Sequence, residues 1–203
     1  MDNMVQNLGR TDGPLLVFGG PYSNVHALRA LRERAISLGI APGNCICTGD
    51  VVAYGGDPAA TLAEIRDWGC HVVMGNCEQS LGVGGNDCGC GFAEGSACEA
   101  LSKEWFEFAA RHIDAGARKW MRGLPRLIEL GVGNARLAVV HGGVSSISRF
   151  IFASTPDHVL ADELAAAAVD GVLAGHCGLP FTRTVGGRLW HNAGAIGMPA
   201  NDG

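Results

Sequence analysis

Four apolar runs in this chain each break off at a glycine set beside a polar residue: Thr48-Gly49-Asp50, Gly75-Asn76-Cys77-Glu78, Val140-His141-Gly142-Gly143 and Gly175-His176-Cys177-Gly178. Helical periodicity fills much of the space between such runs. Residues 14–20 (PLLVFGG) predict a buried strand, and Asn24–Leu38 an amphipathic helix closed by Gly39. Ala27, Leu28, Leu31, Ala35 and Leu38 share one stripe of that helix, with Arg29, Arg32, Glu33 and Arg34 mostly outside it. Cys45–Thr48 reads as a second strand and Pro58–Trp68 as a second helix, with Leu62, Ile65 and Trp68 on one side. His71–Met74 reads as a third strand. A βαβαβ series implies parallel pairing and right-handed crossovers. The loops that leave its strands therefore gather at the C-terminal edge of a sheet.

The second half repeats the theme with hairpins added. Leu81–Ala97 is Gly-rich and aperiodic, which predicts a surface loop or lid. Helices are expected over Ser96–Ala110 and Ala115–Arg122. Arg126–Leu130 and Arg136–Val140 read as a hairpin turned at Gly131-Val132-Gly133-Asn134. Ser154-Thr155-Pro156-Asp157 predicts the start of an Ala-rich helix running to about Ala168, with Thr155 or Ser154 as N-cap. Gly171–Ala174 reads as a buried strand, and Thr182–Val185 with Arg188–His191 as a hairpin around Gly186-Gly187. Two βαβ-like halves of this kind predict an α/β fold, a four-layer αββα sandwich. With 47% hydrophobic and 17% charged residues, the 203 residues suffice for one core, and one domain over 1–203 is expected.

Charge narrows the partners. The formal net charge is -5, lysine occurs only at Lys103 and Lys119, and no basic run exists, so a nucleic-acid duplex or an anionic membrane surface is a poor partner. No stretch approaches the ~20 apolar residues of a membrane span, and Met1-Asp2-Asn3-Met4-Val5-Gln6 lacks a signal-peptide pattern. A cytoplasmic location is the default expectation. In a reducing compartment the eight cysteines are expected as thiols or metal ligands. Small phosphorylated substrates stay open to such a chain, because a metal can neutralise them locally.

Each polar residue of the four loops has a plain reading as well. Asp50 after a strand can cap the next helix. Asn76 after Gly75 tolerates left-handed turn backbone. A lone His is more often a hydrogen-bonded structural residue than a ligand. Packing does not account for an Asp, an Asn and two His recurring at the ends of four separate strands. Carboxylate, amide oxygen and imidazole together suit one divalent ion: Mn, Fe, Ni or Zn. Cys77, Cys88, Cys90 and Cys98 fall within a 22-residue stretch without paired C-x-x-C spacing, so buried thiols are the better reading than a structural metal. Cys45, Cys47 and Cys70 read as core, His26, His112 and His158 as surface residues, and His191 as a residue that could face the site. A fifth strand ends in Gly19-Gly20-Pro21-Tyr22-Ser23-Asn24. It suggests a nucleotide-binding turn only weakly, since the G-x-G-x-x-G spacing is absent and Pro21 lacks a backbone donor.

Taken together, these loops resemble the calcineurin-like metallophosphoesterase superfamily, in its small bacterial single-domain branch. Gly175-His176-Cys177-Gly178-Leu179-Pro180-Phe181 is similar to the family's G-H-T-H-x-P-F. The segment from Gly187 to Gly197 is similar to its G-x-x-x-x-N-P-G-S-x-G. The resemblance implies two metals bridged by an Asp, here Asp50. The second metal is also held by residues matching Asn76, His141 and His176. The first is not provided for: the D-x-H-G-N loop aligns with Gly20, Tyr22 and Asn24, and the second His of G-H-x-H with Gly178. One ion is therefore expected in place of two. Cys77 stands where the family often has a His. Relatives continue into a further strand where this chain reaches Asn201-Asp202-Gly203, so either the C-terminal strand is truncated or one sheet edge is missing, and such an edge could be covered by a second copy of the chain in a homo-oligomer.

These features imply a metal-dependent phosphoesterase that hydrolyses a small phosphomonoester or phosphodiester through metal-activated water. The residues expected to act are Asp50, Asn76 and His141, with Tyr22, Asn24 and Arg149 as substrate contacts. The loss of one electrostatic contact of this kind costs ~10²–10³ in rate. Two other readings stand beside it. One is a catalytically degenerate descendant that binds a phosphorylated ligand or a protein partner. The other is a metal or redox sensor using His141, His176, Cys77 and Cys177.

Overall fold

In the computed structural model, which describes residues 5–91 and 95–199, the βαβαβ series forms a three-stranded parallel sheet. Its strands are β2 (Leu16–Phe18), β3 (Cys45–Cys47) and β4 (His71–Val72), in that order. The crossovers are α1 (Val25–Ser37) and α2 (Pro58–Trp68). Asn24 caps α1 by accepting from Ala27 N–H at 3.0 Å. Pro58 opens α2, and Gly69 closes it in the left-handed conformation.

A second sheet of six strands lies against the first, in the order β1-β5-β6-β7-β9-β8. These are β1 (Val5–Thr11), β5 (Leu127–Val132), β6 (Ala135–Val139), β7 (Gly171–Ala174), β8 (Pro180–Val185) and β9 (Arg188–Ala193). The β5–β6 and β8–β9 hairpins are antiparallel, whereas β6–β7 and β7–β9 pair in parallel. Helix α6 (Asp157–Ala167) makes the crossover from β6 to β7.

Strand alternation divides the apolar residues between layers. Ile46, Val73, Ile128, Leu130, Val139 and Leu173 meet between the two sheets. Their neighbours Phe18, Cys47 and Val72 face the helices on one side, where Phe18 stacks on Trp68 at 5.3 Å. Ala138, Val140, Val172, Ala174 and Trp190 face α6 on the other, against Leu160 and Leu164. The result is the expected order of helices, sheet, sheet and helix. Strands buried on both faces read as continuous apolar runs, which is why the sequence marks them.

Three elements depart from expectation. β1 is a strand on the large sheet's edge, parallel to β5, in a stretch whose polarity hid it. Gly75-Asn76-Cys77-Glu78 is the start of helix α3 (Asn76–Val83), closed by Gly84 at φ 76°, so the Gly-rich loop begins later than expected. The two remaining helices are α4 (Ala97–His112), capped by Ser96, and α5 (Ala115–Arg122). At α6 neither Thr155 nor Ser154 is the N-cap. Pro156 occupies that position, and the Thr155 hydroxyl instead accepts from Phe152 N–H at 2.9 Å, closing the preceding turn. Among the described residues no helix is long and apolar enough to cross a membrane. Residues 1–4, 92–94 and 200–203, with the expectations placed on the two termini, lie outside the described residues, as does the Cys98 side chain.

Candidate metal centre

The loops leaving β3, β4, β6 and β7 converge where the two sheets meet. Asp50, Asn76, His141 and His176 are all buried there. The approach is close enough to require glycine. A Cβ on Gly49 would lie 2.7 Å from Gly75 N and 2.9 Å from His141 Nδ1, and Gly49 adopts φ 98°.

Hydrogen bonds orient the ligand-type atoms. His141 Nδ1 lies 2.7 Å from the carbonyl of Thr48, which places the proton of the neutral ring on Nδ1 and its lone pair on Nε2. That Nε2 faces Asn76 Oδ1 at 2.9 Å, His176 Nδ1 at 3.0 Å and Asp50 Oδ2 at 3.3 Å. The Asn76 amide nitrogen donates to Cys88 O at 2.7 Å, so its oxygen must point inward. The ligand atoms of Asp50, His141 and His176 lie within 4.8 Å of one another. A proton on His176 Nδ1 would bond it to His141, and a second proton on His141 Nε2 would bond it to Asp50 instead, so no single proton satisfies all four atoms. A divalent ion satisfies all four together, so the donor set fits a metal.

Burial pushes His141 down, but Asp50 outweighs it and raises the ring, so an ion at its Nε2 would displace a proton. Burial and then the nearby His141 push His176 down to about 4, which keeps it neutral and able to ligate. Burial opposes the charge on Asp50, but His141 and His176 outweigh it and hold the carboxyl below its ordinary range. Glu78, fully buried on α3, fastens the Asp50 loop. Its carboxylate accepts from the backbone N–H of Asp50 (2.8 Å), Val51 (2.9 Å), Val52 (3.3 Å) and Gly75 (3.0 Å). Sequence reasoning gave Glu78 no role, although an acid three residues into a helix after Gly75 is a readable capping signal. Glu163 of α6, also overlooked, fastens the loop after His141 by accepting from Ser145 N–H at 3.0 Å and from the Val144 backbone.

A family model described as the calcineurin-like phosphoesterase superfamily domain matches residues 20–203. The chain belongs to this superfamily. It is 27% identical over 184 residues to an uncharacterized protein of Methanocaldococcus jannaschii, covering 90% of this chain and 69% of that one. Among solved structures, a hypothetical protein from Pyrococcus horikoshii OT3 superposes with a TM-score of 0.75 at 17% identity, covering 91% of this chain and 77% of the other. A metallophosphoesterase from Sphaerobacter thermophilus superposes with a TM-score of 0.67 at 18% identity, covering 92% and 78%. At these identities the structural likeness speaks for the fold alone.

Beside these atoms the positions Gly20, Tyr22 and Gly178 come together around one ring. A Cβ on Gly20 would lie 2.7 Å from Tyr22 Cδ1 and 2.8 Å from its Cζ. A Cβ on Gly178 would lie 3.5 Å from the Tyr22 hydroxyl. Tyr22 is buried, with φ 50°, and is held edge-on by Tyr54 at 5.0 Å. Burial and then Asp50 raise its phenol well above the ordinary range, so it stays protonated. The neighbouring Gly19 abuts the Gly194 carbonyl, so these glycines serve chain packing and not a phosphate cradle.

Of the expected substrate contacts, only Tyr22 lines the cavity of about 480 Å³ that opens onto Asp50 and His176. Asn24 is occupied at both ends, as the α1 cap and through Nδ2 to Gly197 O at 3.1 Å. Arg149 is turned to Glu163 at 2.7 Å. His191 bonds Thr182 Oγ1 at 2.8 Å and does not line the cavity. Cys77, Cys88 and Cys90 are buried beside Asn76, with Cys90 Sγ 3.2 Å from its amide nitrogen. Hydrogen bonds from Cys77 and then Cys88 take Cys90 down to about 4.

Proposed function

We propose that the chain hydrolyses a small phosphoester with one divalent ion, of the Mn, Fe, Ni or Zn class, held by Asp50, Asn76, His141 and His176. The supporting observation is the meeting of four acceptor atoms around one point while the Tyr22 ring fills the neighbouring volume. When bound, such an ion supplies a Lewis acid for a phosphoryl oxygen and for the attacking water.

The side chains do the rest. Thr48 keeps His141 in the tautomer that faces the ion. Asn76 is held with its oxygen inward by Cys88, and Glu78 fixes the backbone that carries Asp50. Tyr22, kept protonated, offers a neutral donor to a phosphate oxygen. A neutral phenol stabilises developing charge less than a cation does, so turnover is slow. The same filled volume favours the second reading, ligand binding without turnover.

Elemental analysis of protein purified without chelator tests the first reading. About one ion per chain, falling to none in His176→Ala, is expected. Metal-dependent release of nitrophenol from a nitrophenyl phosphoester, absent in Asp50→Ala, separates hydrolysis from binding alone. A chain that takes up no ion after exposure to Mn, Fe, Ni and Zn overturns the proposal.

A further inference from the structure

The cavity beside Asp50 and His176 has an apolar rim. Large apolar side chains are seldom exposed together without a reason. Here Tyr54 (41% exposed), Phe150 (39%), Leu179 (38%) and Met198 (47%) all line it, and Phe152 stacks on Phe150 at 5.8 Å. Tyr54 is propped by Tyr22 and Trp105, each with ring centroids at 5.0 Å, and Phe150 leans on the His176 ring at 4.2 Å. Two aromatic rings therefore line the cavity that reaches Asp50 and His176, each packed against further rings.

Cations are missing from the same wall. Among the described residues lining the cavity there is no Lys or Arg. Arg149, next in sequence to Phe150, is tied back to Glu163 at 2.7 Å and to Ser145 Oγ at 3.1 Å. Charge matching with a ligand thus rests on the ion and its first neighbours. A divalent ion on one carboxylate, one amide and two neutral imidazoles leaves at most a single net positive charge, because Cys90 on the same wall adds none and subtracts one when ionised. That suits a ligand with no more than one negative charge. A phosphomonoester dianion or a polyphosphate would bring excess negative charge into a cavity with no side chain to neutralise it.

Resting on the one-ion reading above, we infer that the site selects phosphodiesters with an aromatic or comparably flat apolar arm, seated between Tyr54 and Phe150, over monoesters and polyphosphates. A cavity of about 480 Å³ suits a small molecule of this class.

Equilibrium binding by calorimetry to the metal-loaded protein tests this without relying on turnover, with diphenyl phosphate, dimethyl phosphate, phenyl phosphate and pyrophosphate as probes. Diphenyl phosphate is expected to bind tightest, and its advantage over dimethyl phosphate should shrink roughly tenfold in Tyr54→Ala and in Phe150→Ala. Metal content, measured on each variant, confirms that the site itself is retained. Phenyl phosphate or pyrophosphate binding as tightly as diphenyl phosphate overturns the inference and leaves the one-ion reading standing. So does an unchanged diphenyl-to-dimethyl ratio in both variants. Failure to load metal overturns both.

Discussion

Replacing Gly20 by alanine places a methyl group where the Tyr22 ring already lies. The ideal Cβ is 2.7 Å from Cδ1 and 2.8 Å from Cζ, well inside van der Waals contact. Gly20 does not have a positive φ, so the backbone tolerates alanine and the cost is steric alone. Tyr22 is 8% exposed and wedged by Tyr54, which limits its escape. Overpacking of this kind costs about 1–3 kcal/mol, or a fall in Tm of about 2–12 °C for a chain of this size. In a Tyr22→Ala background the ring is gone. Gly20→Ala should then be neutral, or stabilising by about 0.4–1 kcal/mol through the unfolded chain. Denaturant unfolding of the four proteins in chelator closes the cycle, with an expected coupling of about 1–4 kcal/mol. Equal losses from Gly20→Ala in both backgrounds would refute the claim that the Tyr22 ring fills the space beside Gly20.

Two further outcomes rest on ionic contacts away from the ion position. Glu163→Gln leaves Arg149 without its carboxylate and one backbone or hydroxyl donor mismatched, so thermal unfolding should show a loss of about 1–3 kcal/mol; a Tm unchanged from the parent would mean that the loop after His141 is held by other contacts. Glu64 bridges α1 and α2 by accepting from Arg29 at 2.8 Å and Arg32 at 2.7 Å, and hydrogen bonds from Arg29 and then Arg32 lower its pKa. A lowered folded pKa means that this stability is present above the ordinary glutamate range and is lost as pH falls through the folded value. Glu64→Gln should therefore cost about 0.5–1 kcal/mol at pH 7 and nothing at strongly acidic pH, with the neutral-pH loss reduced by salt. A deficit that persists in acid would contradict the ionic origin.

Much of the molecule was legible because local rules and tertiary packing agree. The helix over 58–68 and the strand over 171–174 begin and end where Pro58, Gly69 and Gly171 place them. The small parallel sheet follows from its βαβαβ pattern. β1 was hidden because an edge strand with half-exposed residues needs no apolar alternation. Helix α3 was hidden because its first residues carry ligand-type side chains, which favour turn conformations in isolation; the Glu78 contacts with Gly75 and the Asp50 loop come from the folded arrangement.

The residues that could hold an ion, and the absence of ligand-type side chains at Gly20, Tyr22 and Gly178, were already determined by the sequence, because each sits at the end of a strand in a short motif. Tertiary structure alone decided how those three positions pack. Tyr22, Gly20 and Gly178 are brought together only when the loops after β2 and β7 meet, and no local pattern says that one ring will fill the volume they leave. It also turned Asn24 and Arg149 away from the cavity beside Asp50 and lined that cavity with Tyr54 and Phe150. Hydrogen bonds and ion pairs form with whichever partner folding brings within reach, and a chain read residue by residue does not contain those distances.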